Sequence, residues 1–146
     1  MTPCSVLSRT LVGFLALALA AATAAAADDA AGKGVAATPI FSRKLPNAPG
    51  KTMTVVSVDY APGGASAPHR HAPSAIVFAY VVAGAVRSQV EGAGEARIYH
   101  VGESWYEPPN AHHLVSENAS TTESARLIAV VIADDGAAIT TFDGAN

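Results

Sequence analysis

The 146-residue chain has a single cysteine, Cys4, at its very start. The rest of the chain can form no internal disulfide and can bind no metal through thiolate. Charge is also scarce: 14% of residues are charged, the net charge is −3, and no basic cluster occurs. That balance argues against a nucleic-acid partner. Aromatic residues make up only 6% and there is one tryptophan. Beyond the N-terminal region no apolar run approaches the ~20 residues that span a bilayer. No long stretch there keeps a 3.6-residue period, which leaves little room for helices. What the chain does have is apolar content, 50% of its residues, so its stability must come from a hydrophobic core.

The N-terminus has three parts. Arg9 is the one basic residue before the uncharged apolar run "LVGFLALALAAA", Leu11 to Ala22. "TAAAADD" follows, with Ala25 and Ala27 in an A-x-A arrangement. This is the pattern of a secretory signal peptide over residues 1–27, too short to be a spanning helix. The expected location is periplasmic or secreted, and no membrane association is expected after cleavage. Residues 28–39, "DDAAGKGVAATP", are small, polar and aperiodic and predict a flexible leader. The folded domain is expected over 40–135, with 136–146 a tail or a last short strand.

Within that domain, short runs rich in Val, Ile, Tyr and Phe alternate with Gly, Pro and Asn. "MTVVSVDY", "AIVFAYVV", "AVRSQV", "ARIYHV", "SWYE", "HLVSEN" and "ARLIAVVIA" are the strand candidates. Strands recurring about every ten residues predict an all-β sandwich or barrel. The apolar outer face of "ARLIAVVIA" is a candidate homodimer patch.

Two histidine pairs stand out. His69 and His71, in "PHRHAP", are two apart, so on an extended strand both imidazoles point to one face. His112 and His113 follow the turn "EPPNA", and as neighbours only one of them can join the first pair. Neutral imidazole is the commonest protein metal ligand. The fifth histidine, His100, precedes Gly102 at a turn and reads as a surface residue.

With these residues in place the chain resembles the cupins. Their first motif, G-x5-H-x-H-x3,4-E-x6-G, is matched by Gly63, His69 and His71, with Gly84 one residue late. Their second, G-x5-P-x-G-x2-H-x3-N, is matched by Gly102, Pro108 and His113, with Asn110 in the glycine place and Asn118 one residue late. The resemblance implies a small double-stranded β-helix barrel, jelly-roll-like, in whose mouth the motif histidines hold one divalent metal ion. It selects His113 over His112. It also exposes a gap: counted back from Gly84 the motif glutamate falls at Val77, and neither Val77 nor its neighbours Ala75, Ile76, Phe78 and Ala79 can ligate.

Gln89 is the expected replacement. It lies in the strand that turns back past Gly84, and some cupins similar to this chain have an inward glutamine there. The predicted metal set is therefore His69, His71, Gln89 and His113, suited to Zn, Mn, Fe or Ni. The alternative for Gln89 is an exposed strand residue. If Gln89 faces inward, so does Arg87, which could then fork a substrate carboxylate; otherwise Arg87 is a surface charge. Tyr80 and Trp105 are candidate pocket residues, with one of Trp105 and Tyr106 expected at the pocket wall. Glu107 is the nearby carboxylate, either a base at the mouth or a solvated turn residue. The expected partner is a small-molecule ligand. Three functions compete: a metal-dependent enzyme of dioxygenase, isomerase or decarboxylase type acting on a small anionic or enolisable substrate; a non-catalytic metal- or ligand-binding barrel; and an inert barrel. Metal analysis with a dioxygen-uptake screen discriminates them.

Overall fold

The computed structural model describes residues 31–144. The signal-peptide segment 1–27 and the first residues of the expected leader lie outside the described residues. Ten strands and no α-helical element make up the described chain: β1 (Gly32–Lys44), β2 (Lys51–Ser66), β3 (His69–His71), β4 (Ile76–Ala83), β5 (Ala85–Val90), β6 (Arg97–His100), β7 (Ser104–Glu107), β8 (His112–Asn118), β9 (Ala125–Asp134) and β10 (Thr140–Phe142). The expected all-β class holds.

β2 is the hub. It pairs with β1 on one side and with β9 over its first ten residues on the other, and its far end, Ala65 and Ser66, pairs with β8. β9 continues to β4 and β4 to β7; β8 continues to β3 and β10, and also to β5 and β6. Every pairing is antiparallel, and the sheet curls into a nearly closed barrel. No helix of the described residues is long and apolar enough to cross a membrane.

Period-2 alternation decides what faces in. On β4, Val77, Ala79 and Val81 are buried while Phe78, Tyr80 and Val82 are exposed. On β9, Leu127, Val131 and Ala133 are buried. Tyr60, Val86, Val90 and Trp105 complete the main core cluster with Ala79, Val81 and Leu127.

The flexible leader is corrected by β1. From Gly32 opposite Ser66 to Lys44 opposite Thr52, this strand runs along β2, so the ordered domain begins well before Ile40. Most of its side chains are exposed. Backbone pairing to a long neighbour holds it, and that is invisible to side-chain patterning. Pro39 is tolerated because β1 is an edge strand and its register shifts between Pro39 and Phe41.

Two turns fix the barrel ends. Gly84 joins β4 to β5 at φ 65°, where an added Cβ would meet the Ser124 carbonyl at 2.5 Å. Asn110, in the glycine place of the second motif, is the one non-glycine with positive φ (61°) among the described residues. Asparagine tolerates that left-handed backbone.

Candidate metal centre

β3 and β8 lie side by side with His69 directly opposite His113. His71 shares the inner face of β3 with His69. All three imidazoles are buried, at 8%, 8% and 3% exposure. One ring nitrogen from each lies within 4.8 Å of the others. His69 lies 5.1 Å, between ring centroids, from both His71 and His113. His112 points outward, where Nε2 lies 2.8 Å from Asp143 and Nδ1 lies 2.9 Å from the Arg70 guanidinium.

The protein fixes the tautomers. Nδ1 of His69 lies 2.8 Å from the Ala67 carbonyl, and Nδ1 of His71 lies 2.8 Å from the Ile139 carbonyl. A carbonyl can only accept, so both Nδ1 atoms donate. In the neutral rings each Nε2 is then a free lone pair. Nε2 of His113 lies 2.8 Å from the Ser88 hydroxyl. When Ser88 accepts from that nitrogen, Nδ1 of His113 is the free one. Partners of this kind orient metal-binding histidines.

Glu107 sits among them at 2% exposure. Its Oε1 accepts from Trp105 Nε1 at 2.9 Å and lies 3.3 Å from His113 Nδ1. Its Oε2 lies 3.0 Å from His71 Nε2 but outside hydrogen-bond geometry, and is a buried carboxylate oxygen without a donor. In the neutral His71 tautomer two lone pairs face each other across that distance. A proton on His71 or a metal cation between them resolves the conflict. Donors each ~2.1 Å from a shared ion stand roughly 3.0–3.4 Å apart, the spacing of the two carboxylate–imidazole pairs, while the three imidazole nitrogens lie within 4.8 Å of one another. The donor set therefore fits a divalent ion.

Electrostatics favour the ligating form at two of the three imidazoles. Burial pushes His113 down to about 4 against the opposing pull of Glu107. Burial also lowers His69, although the Ala67 carbonyl opposes it. Burial works against the charged form of His71 too, but the neighbouring Glu107 outweighs it and the net direction is upward. Burial raises Glu107, yet His71, His113 and Trp105 together hold it below the usual carboxylate range. The carboxylate is thus kept ionised, and two of the three imidazoles are kept neutral, the form that ligates.

A cavity of about 120 Å³ opens beside the cluster. Val56, Val58, Leu127 and Ala129 form its apolar wall, and Tyr60 and Ser116 add a buried hydroxyl pair 2.7 Å apart. Burial pushes the Tyr60 phenol up to about 12, so it stays protonated. No lysine or arginine is found among the described residues that line the cavity.

Gln89 is corrected. On β5, Val86, Ser88 and Val90 are buried, which turns Gln89 to the outside, where its amide donates to the Gly94 carbonyl at 3.2 Å. Arg87 shares that outer face and pairs with Glu117 at 2.8 Å, so it cannot fork a substrate carboxylate. Tyr80, 40% exposed, is likewise on the outer face of β4. Trp105 lines the cavity while Tyr106 is exposed. Glu107 is neither solvated nor at a turn; it is a buried carboxylate beside His71 and His113. Ser88 was not foreseen, although its place between the apolar Val86 and Val90 in "AVRSQV" is the signal that finds it.

A nearly closed jelly-roll barrel with three converging imidazoles defines a β-barrel protein with one candidate metal centre. The cupin domain family (Cupin_2) matches residues 56–131, about half of the chain, and the chain belongs to that family. No curated protein sequence matches. Among solved structures, the chain is similar to an oxalate oxidase in complex with the substrate analogue glycolate: 24% identity, TM-score 0.57, with 76% of this chain and 56% of that one covered. It thus spans little more than half of that enzyme. It is also similar to a double-stranded β-helix protein from Klebsiella pneumoniae (18% identity, TM-score 0.58, 74% and 83% covered). A third is a Cupin 2 conserved barrel domain protein from Salinispora arenicola (24% identity, TM-score 0.51, 69% and 76% covered). At these identities the likeness establishes the fold.

Proposed function

We propose that this cupin holds one divalent ion on His69, His71 and His113 and presents it to a small molecule in the apolar cavity. The observation that carries this reading is the pair of Nδ1–carbonyl bonds, which leave the Nε2 lone pairs of His69 and His71 facing inward. A bound ion of this kind polarises a carbonyl or activates an oxygen ligand. The chain's own groups do the rest. The apolar wall selects a small hydrocarbon body and excludes water. The Tyr60–Ser116 pair offers a hydrogen bond to a neutral oxygen. With no arginine or lysine among the described residues of the lining, an anionic ligand group has the ion as its cationic partner there, so the fitting ligand is compact, with one enolisable carbonyl or one oxyanion.

An enzyme of dioxygenase, isomerase or decarboxylase type fits this description. A non-catalytic binding barrel is the second reading, favoured by the mostly apolar lining of the cavity. Metal analysis of the purified protein, followed by dioxygen uptake and turnover assays on small enolisable acids and ketones, separates them. The expected result is about one ion per chain, lost in His71→Ala. A metal-free wild type loaded with neither Zn, Mn, Fe nor Ni refutes the proposal.

Export is part of the proposal, supported by the Leu11–Ala22 run and the A-x-A site. Its test is the N-terminus of the mature protein, expected near Asp28; an intact Met1 refutes it. A homodimer is supported by the outer face of β4, β7 and β9, where Phe78 (47% exposed) lies opposite Tyr106 (56%) and Val130. Light scattering should give a dimer mass that Phe78→Glu halves.

A further inference from the structure

We propose that Glu107 is the fourth protein ligand of the ion, delivered from β7 in place of the carboxylate that β4 lacks at Val77. The inference rests on the metal-binding reading above. Val77 and Glu107 are directly opposed in the β4–β7 ladder. Directly opposed residues on one face have Cβ atoms about 5 Å apart, so a carboxylate on either strand enters the same space. Val77 is buried there at 2% exposure, as is Glu107.

Three further observations point the same way. Oε2 of Glu107 is a buried carboxylate oxygen without a donor. Leaving such an oxygen unsatisfied costs several kcal/mol unless a cation meets it. Second, the Trp105 indole pins Oε1 and thereby orients Oε2 toward Nε2 of His71. Third, among the described residues no lysine or arginine lines this space, and the groups facing the carboxylate are His71, His113 and Trp105.

The charge of the centre changes accordingly. Three neutral imidazoles and one carboxylate leave a divalent ion with a net charge of +1, not the +2 that an amide ligand would leave. The hard oxygen also favours Mn or Fe over softer ions. The sequence keeps the ligand chemistry of the site while moving one ligand across a strand boundary.

The test uses the full mature chain, stripped and titrated with Co(II), Mn(II) or Zn(II) against a competing chelator. Far-UV circular dichroism checks folding. Glu107→Gln should lower Co(II) affinity more than the ten- to hundredfold typical of losing an outer partner, and should change the Co(II) visible spectrum. Trp105→Phe, which removes only the orienting bond, should stay within that outer-partner range. Val77→Glu combined with Glu107→Ala restores a carboxylate from the other strand and should recover affinity to within about tenfold of wild type. A measurement on the wild type needs no folded variant: adding metal should shift the infrared stretches of one carboxylate in protein carrying 13C-labelled glutamate. Wild-type affinity and spectrum in Glu107→Gln, or no infrared shift on metal binding, overturns the inference. If His71→Ala abolishes binding while Glu107→Gln does not, only this inference fails. If the wild type binds no metal, the proposed function fails with it.

Discussion

Ser88 and Gln89 are adjacent on β5 and face opposite sides, so truncating each to alanine tests the register of the strand against the metal centre. Ser88 is 4% exposed and its Oγ lies 2.8 Å from Nε2 of His113, itself 3% exposed. Ser88→Ala leaves that ring nitrogen buried without a partner. The cost is about 1–3 kcal/mol. At roughly 4 °C per kcal/mol for a domain of this size, the melting temperature should fall by about 4–12 °C. Metal affinity should fall ten- to hundredfold, because Ser88 holds a ligand in place. Gln89 has only a surface bond to Gly94, so Gln89→Ala should stay within about 0.5 kcal/mol and leave metal affinity unchanged. The assay is thermal unfolding of the metal-free variants, then Co(II) titration of each. Equal losses from the two variants, or a larger loss from Gln89→Ala, would refute the register and the role given to Ser88.

His113 is held at about 4, below its ordinary 6.5. Between those values the unfolded chain takes up a proton that the folded chain refuses, so metal-free stability should fall on acidification, by up to about 3 kcal/mol. His71 is shifted upward and works in the opposite sense over the range above its ordinary value, so the wild-type slope is partly offset; urea midpoints from pH 7.5 to 4.5 should slope less in His113→Gln. Gly84→Ala combines a strained φ of 65° with a 2.5 Å approach to the Ser124 carbonyl and should cost about 2 kcal/mol or more. Gly92→Ala at φ 80° meets nothing within 4 Å and should cost only about 1 kcal/mol by the same thermal assay. His112→Ala should keep its metal in elemental analysis, whereas His113→Ala should lose it; equal losses would mean that both rings face the ion.

Much of the fold was legible because most strands announce themselves through alternation. β5 and β7 match the expected runs to the residue, and β4, β6, β8 and β9 lie within one or two residues. β1 was missed because "GKGVAATPIFSRK" has little β-propensity of its own and is held by β2. At the centre, the i, i+2 rule placed His69 and His71 on one face. The same rule misplaced Gln89 because the strand was anchored on an expected ligand. Val86 and Val90, the apolar residues that set its inner face, give the opposite parity. Glu107 was underread for another reason. Its neighbour Pro108 suggested a turn, and no local pattern reveals that β7 lies against β4 with Glu107 opposite Val77.

β10 lies across β3 with Phe142 opposite His69, and the Ile139 carbonyl just before it fixes the tautomer of His71. Those two partners are 68 residues apart in the chain. All three imidazoles precede in the chain the carbonyl that sets one of them. Trimming the chain before Ile139 should loosen the ion more than it loosens the barrel, so C-terminal trimming would disarm the centre while leaving a folded shell.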